Sequence, residues 1–409
     1  MHRWLALMSL IGCSLSDEPA CPGLPDSIPS DWAVAPEGFD TEAFDQEVAD
    51  AMRRGCIPAL SASVVNAEGP ILVAAWGFTN LDDPQPVTVE TPFMVASTSK
   101  AVDALAVLIA ESEGALDRDD PVSEHVGFSV RNHRLDIDEP IRLSHLLTHS
   151  SGIQDNWTQV LDDSYAPGDP EEPLGTFLER YLTPDGPHFH RRGNFYGWPP
   201  GREWLYSNVG VALAAYAVQQ ATAVPFDAYC ETRIFEPLAM AHTGWFLTDF
   251  EDLDAIARPH VAESDGWKVL EHYGYPTWPD GQLRSTAGDL GSVLRVALGD
   301  GEVDGVRIVP QDAVGSLTSP LIEGLDDWYI RGIIPQQNLL WFGMNLEDRF
   351  IVGHDGDDEG VTSEMFFDPA TGVGVTLLGN VSDGGLGHRT REATIALQQR
   401  LYAIGEAQP

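Results

Sequence analysis

Apolar residues between Ala101 and Ala110 cover nearly every face of a helix, which is the pattern of a helix buried in a core. The stretch from Thr98 to Glu113 contains neither proline nor glycine, and Gly114 follows as a helix stop. We therefore predict a core helix that begins near Thr98 and ends before Gly114.

Short β-prone runs separated by turns lie near both ends of the chain and predict strands. Residues 59–65 and 71–77 flank a turn at 66–69, so they predict two neighbouring strands near the amino end. Strand signals resume after Val293. The later β-prone runs are 351–354, 364–368 and 373–378.

Two further helices are predicted outside the central region. Residues 41–54 have Thr41 as a cap and Gly55 as a stop, and residues 389–404 close the chain. Between about residues 117 and 284, short helical stretches alternate with long loops rich in Pro, Gly and Trp, notably 166–172 and 184–201. The pattern predicts an α/β core built from both ends of the chain, with a mostly helical region inserted.

The chain carries a formal net charge of −40 at pH 7, from 63 acidic and 23 basic residues. Such a charge repels nucleic acid and anionic membrane surfaces, so neither is expected as a partner. The acids are spread along the chain rather than gathered in a tail. This favours a strongly solvated surface, suited to salty surroundings, over a dedicated cation-binding role.

The first residues have the form of an export signal, because Arg3 is followed by an apolar run, 4–12, that is too short to span a membrane. Residues 10–13, Leu-Ile-Gly-Cys, resemble the lipobox of bacterial lipoproteins. We expect a lipoprotein-type signal over 1–12, lipidation at Cys13, a tether over 13–37 and one folded domain over 38–409. Plain secretion with cleavage nearby and an uncleaved apolar start are the alternatives.

Export would place the protein in the periplasm or on the cell surface, with the lipid anchor as its only link to the membrane. If Cys13 is lipidated, Cys21, Cys56 and Cys230 remain. An oxidising compartment then allows one disulfide and leaves one thiol, and the sequence leaves the pairing open.

Lysine occurs only twice in the chain, and Lys100 stands three positions after Ser97. At positions i and i+3 of a helix the two side chains share a face, and the helix N-terminus favours negative charge at Ser97. A buried lysine can give up its proton, whereas arginine cannot. The pattern predicts Ser97 as a nucleophile with Lys100 beside it. An ordinary serine cap followed by a surface lysine is the alternative.

A second candidate motif, Tyr206-x-Asn208, opens an apolar helix after the long loop at 184–201. A phenol beside a lysine ammonium ionises more readily, so Tyr206 could take a proton from Ser97. The amide of Asn208 could hold a substrate carbonyl. Taken alone, the motif is equally typical of a tyrosine and an asparagine that lead into a core helix.

The third candidate motif is His354-x-Gly356, after a strand predicted over 349–353. A glycine there allows the backbone to approach a ligand closely. The N–H of Asp357, together with that of Ser97, could then bind an oxyanion. Taken alone, the motif is also typical of a strand end followed by a turn.

The order Ser-x-x-Lys, Tyr-x-Asn, His-x-Gly resembles the penicillin-recognising serine hydrolases, which include class C β-lactamases, D-Ala-D-Ala carboxypeptidases, D-aminopeptidases and family VIII esterases. Residues 143–153, 235–240 and 283–290 match three further landmarks of that group. The resemblance covers roughly residues 41–405. It implies a β-lactamase/transpeptidase-like fold, in which an antiparallel sheet is flanked by helices and a helical region is inserted at about 117–284.

The resemblance also implies a role for each motif residue. Ser97 would be acylated, Lys100 and Tyr206 would share the base and acid roles, and Asn208 would orient the substrate. The reaction would release an alcohol or an amine and then hydrolyse the acyl-enzyme, with no metal and no cofactor.

The third motif departs from the Lys-Thr-Gly of β-lactamases, because His354-Asp355-Gly356 stands there and three acids follow at once. The resemblance implies that His354 and Gly356 line the cleft and that the N–H of Asp357 serves the oxyanion hole. At an effective dielectric of ~20, a like charge ~4 Å away costs on the order of 4 kcal/mol, so an anionic substrate end is disfavoured. We expect an esterase-like serine hydrolase for small neutral esters, or for amides with a free amine, ahead of β-lactams and D-Ala-D-Ala peptides.

Two interpretations from other classes compete with a hydrolase. A non-catalytic acyl-binding sensor would keep the fold without turnover, and a structural lipoprotein would carry the motifs by chance. The survival of every reactive residue type argues against the first, and six landmarks in order argue against the second. His145 and His149 stand at i and i+4 but lack the glutamate of a zinc motif, so no metal is expected. The sequence leaves the oligomeric state open.

Overall fold

The structure is a computed structural model that describes residues 21–135, 137–263, 266–323, 334–382 and 388–408. The expected signal over 1–12, Cys13 and the first part of the tether lie outside these residues.

The core of the described chain is a nine-stranded sheet in which every neighbouring pair is antiparallel. The spatial order of its strands is β1-β3-β2-β9-β8-β7-β6-β5-β4. Pairing of β2 with β9 joins the two ends of the chain, which confirms the predicted fold class. The strands are β1 Ser30–Val34, β2 Ala59–Val65, β3 Pro70–Gly77, β4 Ile322–Glu323, β5 Gln336–Gln337, β6 Phe342–Leu346, β7 Arg349–Asp358, β8 Val361–Asp368 and β9 Val373–Gly379.

Helices cover both faces of this sheet. The helices of the described residues are α1 Thr41–Gly55, α2 Ser99–Ser112, α3 Ser123–Val126, α4 Leu143–Leu147, α5 Leu174–Leu182, α6 Asn208–Thr222, α7 Phe226–Cys230, α8 Ala287–Leu298, α9 Gln311–Thr318 and α10 Arg389–Glu406. One apolar cluster joins α1 and α10 to the sheet, and a second joins α2 and α8 to the opposite face. Since both faces are covered, β2 and β9 are buried along their full length, including the serines of β2.

The region between residues 117 and 284 contributes α3 to α7 and packs directly on α2. Helix α6 contacts α2 and also α3, α4, α5 and α7. The second apolar cluster runs without a break from α2 into α5 and α6, so these helices share one core with α2. This packing places the N-terminus of α6 beside the N-terminus of α2, where the motif residues lie.

Element boundaries differ from the sequence-based prediction in three informative places. Asp40, not Thr41, caps α1, because its carboxylate accepts a hydrogen bond from the N–H of Ala43 at 3.0 Å. Helix α2 begins at Ser99, after a 3₁₀ turn at Ala96–Thr98. Strand β7 continues to Asp358 because β8 stays paired with it, so the third motif lies inside a strand and not after one.

Cys21 and Cys56 form a disulfide that ties the start of the described chain to the end of α1. Cys230 is a buried free thiol. Among the described helices, none alone is long and apolar enough to cross a membrane; the bent pair Asn208–Thr222 and Phe226–Phe235 passes only by its length and composition.

Candidate active site

Ser97 stands in a tight turn at the start of α2, where the backbone of Ala96 has a left-handed φ of +45°. Such a conformation is uncommon for a residue with a side chain, and it is held here by burial of Ala96 on all sides. The Nζ atom of Lys100, one turn later, lies 2.9 Å from the Oγ atom of Ser97. Lys100 is fully buried, while Ser97 keeps partial access to solvent.

The second contact of the Lys100 Nζ atom is the backbone carbonyl of Asp280, at 2.5 Å. Burial lowers the pKa of the Lys100 amine below its usual range, and the nearby carboxylates of Asp280, Asp103 and Asp155 oppose that fall. The amine therefore hydrogen-bonds to both the Ser97 hydroxyl and the Asp280 carbonyl, and desolvation favours its neutral form.

Tyr206 completes a three-membered cluster with Ser97 and Lys100. Its side chain is hydrogen-bonded to that of Ser97, and the Lys100 Nζ atom lies 5.0 Å from the centre of its ring. Burial raises the pKa of the Tyr206 phenol well above its ordinary value, and the hydrogen bond to Ser97 only partly offsets this. The expectation that Tyr206 ionises readily is therefore wrong, and the phenol keeps its proton at neutral pH.

His149 positions the Tyr206 ring, a role that the sequence did not indicate. The two rings are stacked with their centres 4.3 Å apart, and the Nδ1 atom of His149 accepts a hydrogen bond from the N–H of Ser207 at 3.2 Å. Burial and the charge of Lys100 lower the pKa of His149 well below its usual range, so the imidazole is neutral. In the sequence, the only signal for a role of His149 was its place in the family landmark at 143–153.

Asp155 positions the second motif residue of α6 and was also missed. Its carboxylate accepts hydrogen bonds from both the backbone N–H and the side-chain amide of Asn208, at 2.9 and 3.0 Å. It also accepts from the Val209 N–H at 3.1 Å and the Ser207 hydroxyl at 3.2 Å. Four donors on one carboxylate fix the start of α6 and the direction of the Asn208 amide. No motif marks this aspartate in the sequence.

The third motif brings β7 against the turn that holds Ser97. A Cβ atom at Gly356 would lie 2.4 Å from the carbonyl oxygen of Val95 and 2.9 Å from the nitrogen of Ser97, so no side chain fits there. The two backbones can approach only because this residue is glycine. Asp357, the next residue of β7, is exposed and is in register with Thr362 of β8.

His354 is buried beside the cluster, with its ring centre 6.3 Å from that of Tyr206. Burial and the nearby Lys100 lower its pKa to about 3, so this position holds a neutral imidazole and no cation. Its ring also packs edge-on against Phe342 at 4.9 Å. The structure thus brings Lys100, Tyr206, His354 and Gly356 together around Ser97. Asn208 follows Tyr206 at the start of α6, Asp357 follows Gly356 on β7, and Cys13 lies outside the described residues.

The surroundings of the cluster are acidic. Besides Asp280, Asp103 and Asp155, the charge of Asp358 acts on Lys100 from the end of β7, and the Tyr165 hydroxyl donates to Asp358 at 3.2 Å. Within the described ranges, no group of three or more His, Cys, Asp or Glu is placed to hold a metal ion. The arrangement offers a hydroxyl, an amine and a protonated phenol in mutual reach, in an electrostatic setting that disfavours anions.

A family model matches most of this chain, and named relatives match it at low identity. A family model described as Beta-lactamase matches residues 44–400. "Protein flp" of Staphylococcus aureus (strain NCTC 8325 / PS 47) is 24% identical over 344 residues, which are 83% of this chain and 63% of that protein. "Penicillin-binding protein 4*" of Bacillus subtilis (strain 168) is 26% identical over 188 residues, 45% of this chain and 37% of the relative. This chain therefore spans less than two thirds of these relatives.

Solved structures share the fold at low sequence identity. D-amino acid amidase from Ochrobactrum anthropi SV3, complexed with L-phenylalanine amide, superposes with a TM-score of 0.70 at 19% identity, over 90% of this chain and all of that one. The octameric penicillin-binding protein homologue from Pyrococcus abyssi gives a TM-score of 0.69 at 21% identity, over 90% of this chain and 79% of the other.

Proposed function

This chain belongs to the beta-lactamase family, and on that premise we propose that it is a serine hydrolase that forms an acyl-enzyme at Ser97. The observation that carries the proposal is the 2.9 Å contact between the Lys100 Nζ atom and the Ser97 Oγ atom, with Tyr206 hydrogen-bonded to the same hydroxyl. A nucleophile and a base within hydrogen-bond reach, oriented by a third group, are the requirement for covalent catalysis.

Lys100 serves as the base, because desolvation favours its neutral amine and keeps Tyr206 protonated. The Ser97 Oγ atom attacks the substrate carbonyl as Lys100 takes the hydroxyl proton. The N–H groups of Ser97 and Asp357 stabilise the oxyanion. Tyr206 relays a proton to the leaving alcohol or amine as the C–O or C–N bond breaks, and a water molecule then repeats the sequence to free Ser97.

Small neutral esters are the substrates we propose first, and amides with a free amine, such as D-aminoacyl amides, second. The carboxyl groups of Asp280, Asp103, Asp155 and Asp358 lie around Lys100, and both histidines beside the cluster are neutral. Around the cluster, the described part of the chain therefore offers a substrate carboxylate the catalytic amine and no imidazolium. An ammonium group on the substrate is compatible with the negative electrostatic potential of these carboxyl groups. β-Lactams and D-Ala-D-Ala termini rank lower because they are anionic.

Ester and β-lactam turnover by the purified protein tests both the activity and the substrate class. We expect p-nitrophenyl acetate or butyrate to be hydrolysed faster than nitrocefin, and a D-aminoacyl amide to be cleaved where its N-succinyl derivative is not. Efficient nitrocefin hydrolysis with negligible ester turnover would overturn the substrate class. One equivalent of product without steady-state turnover would support an acyl-binding sensor instead.

A fluorophosphonate probe tests the nucleophile independently of the substrate. Ser97→Ala should abolish both labelling and ester turnover. Ser112→Ala is the matched control, since Ser112 lies exposed at the far end of the same helix and donates to the Ile109 carbonyl. Labelling of the Ser97→Ala protein at an unchanged rate would place the nucleophile elsewhere.

For the location of the protein we propose export and lipid anchoring at Cys13. The Cys21–Cys56 disulfide supports an oxidising compartment, because such bonds persist mainly outside the cytosol. Fractionation of cells that express the full chain tests this, and recovery of the protein from the cytosol with both thiols reduced contradicts it.

A further inference from the structure

Asp103 is a carboxyl group that the catalytic scheme does not yet use. It stands one turn after Lys100 on α2, at 0% exposure, and neither of its carboxyl oxygens has a hydrogen-bond partner in the described part of the chain. A buried carboxyl without partners costs stability. Its position beside the catalytic lysine offers a reason for keeping it.

Asp280 is a second carboxyl at the same place, contributed by the 3₁₀ turn Trp278–Asp280. Its backbone carbonyl accepts from the Lys100 Nζ atom, while its carboxyl is 5% exposed. Thr277 is hydrogen-bonded to the carboxyl, but its Oδ2 atom has no partner among the described residues. Two buried carboxyls with unused acceptor atoms therefore act electrostatically on one amine.

Lys100, Asp103 and Asp280 all act on one another electrostatically. Lys100 and Asp280 are the charges that act on Asp103, and Lys100 is the first charge that acts on Asp280. Two carboxylates beside one ammonium would leave a buried charge without compensation, which is strongly unfavourable. One negative charge is therefore the most that the pair can hold. Burial raises the pKa of Asp103 well above its ordinary range and that of Asp280 to about 7.

We propose that Asp103 and Asp280 form a buried carboxyl pair that holds a single negative charge beside Lys100 and thereby sets the pH range in which Lys100 accepts the proton of Ser97. The pair acts through Lys100 and touches no substrate, so both are positioning residues. This role rests on the proposed hydrolase function.

Three further carboxyls face the unit formed by Lys100 and the carboxyl pair. Burial raises the pKa of Asp155, which is held by four hydrogen-bond donors, and the pKa of Asp355, on which the charge of Lys100 also acts. Asp358 lies farther along β7 and also acts on Lys100. The imidazoles, phenols and thiol that face the unit are kept neutral by burial. These groups are His149, His354, Tyr165, Tyr206, Tyr275 and Cys230.

The pH profiles of Asp280→Asn and Asp103→Asn test the pair. Loss of a nearby negative charge lowers the pKa of Lys100, so the amine becomes available at lower pH. We expect the acidic limb of kcat/KM for a neutral ester to move down by about one pH unit in Asp280→Asn. The double variant should move further than either single variant, because a remaining carboxyl can still carry the charge.

Asp289→Asn is the matched control. Asp289 is a largely buried carboxyl near the start of α8 that accepts hydrogen bonds from the His242 N–H and the Thr243 hydroxyl and does not act on Lys100. It should lower the melting temperature without moving the acidic limb. A merely structural role for the pair would give Asp103→Asn and Asp280→Asn this same behaviour.

Labelling of Ser97 by the fluorophosphonate probe, measured as a rate against pH, separates failure of the pair from failure of the function. The labelling rate should show the same displaced limb as ester hydrolysis. If Ser97 is labelled in both single variants and in the double variant, and the acidic limb does not move, the proposed role of the pair is overturned. The hydrolase function would then still stand. Wild-type protein that is not labelled at all overturns the hydrolase itself.

Discussion

At the residue scale, the site is held by buried polar side chains whose partners come from distant parts of the chain. Asp155 accepts four hydrogen bonds at the start of α6, two of them from Asn208, and the ring of His149 stacks on that of Tyr206. Neither residue reacts in the proposed scheme. Both hold site residues in fixed positions before a substrate binds, and this is what preorganisation means in physical terms.

Asp155→Asn should separate this positioning role from simple packing. An amide cannot accept from donors on both sides of the group, so at least one N–H at the start of α6 loses its partner. Hydrogen bonds to charged groups contribute roughly 1.5–3 kcal/mol each, and we expect the free energy of unfolding to fall by about 2 kcal/mol. Ester kcat/KM should fall by at least about tenfold, because Tyr206 and Asn208 shift together.

Urea unfolding and steady-state kinetics measure these two effects. Asp163→Asn, an exposed position in the 3₁₀ turn Asp162–Ser164, serves as the control and should change neither. An Asp155→Asn protein with wild-type kinetics would show that the Asn208 amide is held by other means.

At the element scale, β7 and β8 carry an unfavourable pair directly beside the site. Asp355 on β7 is in register with Glu364 on β8, so two carboxyls face each other across the strands. The charge of Arg391, from α10, favours ionisation of both. Burial, with Asp355 next to it, nevertheless raises the pKa of Glu364 to about 8.

This pair gives the folded protein a pH dependence that Glu364→Gln should remove. The pKa of Glu364 is about 8 in the folded protein and near 4.5 in the unfolded chain. The protonated side chain therefore contributes fully to stability below about pH 4.5, and this contribution is lost as the pH rises through about 8. We expect Glu364→Gln to be more stable than the wild type at about pH 9, by up to about 1 kcal/mol, and little changed at about pH 5.

Melting temperatures across this pH range check the expectation. Glu392→Gln, an exposed carboxyl on α10, is the control and should leave the slope of the wild type unchanged. Equal slopes for Glu364→Gln and the wild type would show that the proton is lost from another group.

At the scale of the whole molecule, the net charge of −40 sets the balance between solubility and stability. Like charges on a compact surface repel one another and favour the expanded chain. Several ion pairs of the described residues are exposed on both sides and contribute little each. The fold must therefore be held by its two apolar clusters against this repulsion.

Added salt should stabilise the protein because it screens the repulsion. The Debye length falls from ~10 Å at about 0.1 M salt to ~3 Å at about 1 M, which is shorter than most separations on the surface. We expect the melting temperature to rise over this interval, equally in NaCl and KCl. A melting temperature that falls, or that rises with only one of the two cations, would contradict screening as the cause.

The sequence by itself determined the features that depend on local pattern. Apolar residues on all faces marked α2 as a core helix, and alternating turns and β-prone runs marked the strands at both ends. Three short motifs in a fixed order indicated the family. The structure places Ser97 and Lys100 in contact because i and i+3 positions share a helix face, which needs no tertiary information.

Only the tertiary structure decided the rest, because it concerns groups that are far apart in sequence and have no local signature. The Asp155–Asn208 bonds span 53 residues and the Lys100–Asp280 contact spans 180. The pairing of Cys21 with Cys56 and the extension of β7 through its motif depended in the same way on neighbours from other elements. Above all, burial fixed the protonation states, since desolvation kept the Tyr206 phenol neutral although a lysine ammonium beside it was expected to promote its ionisation.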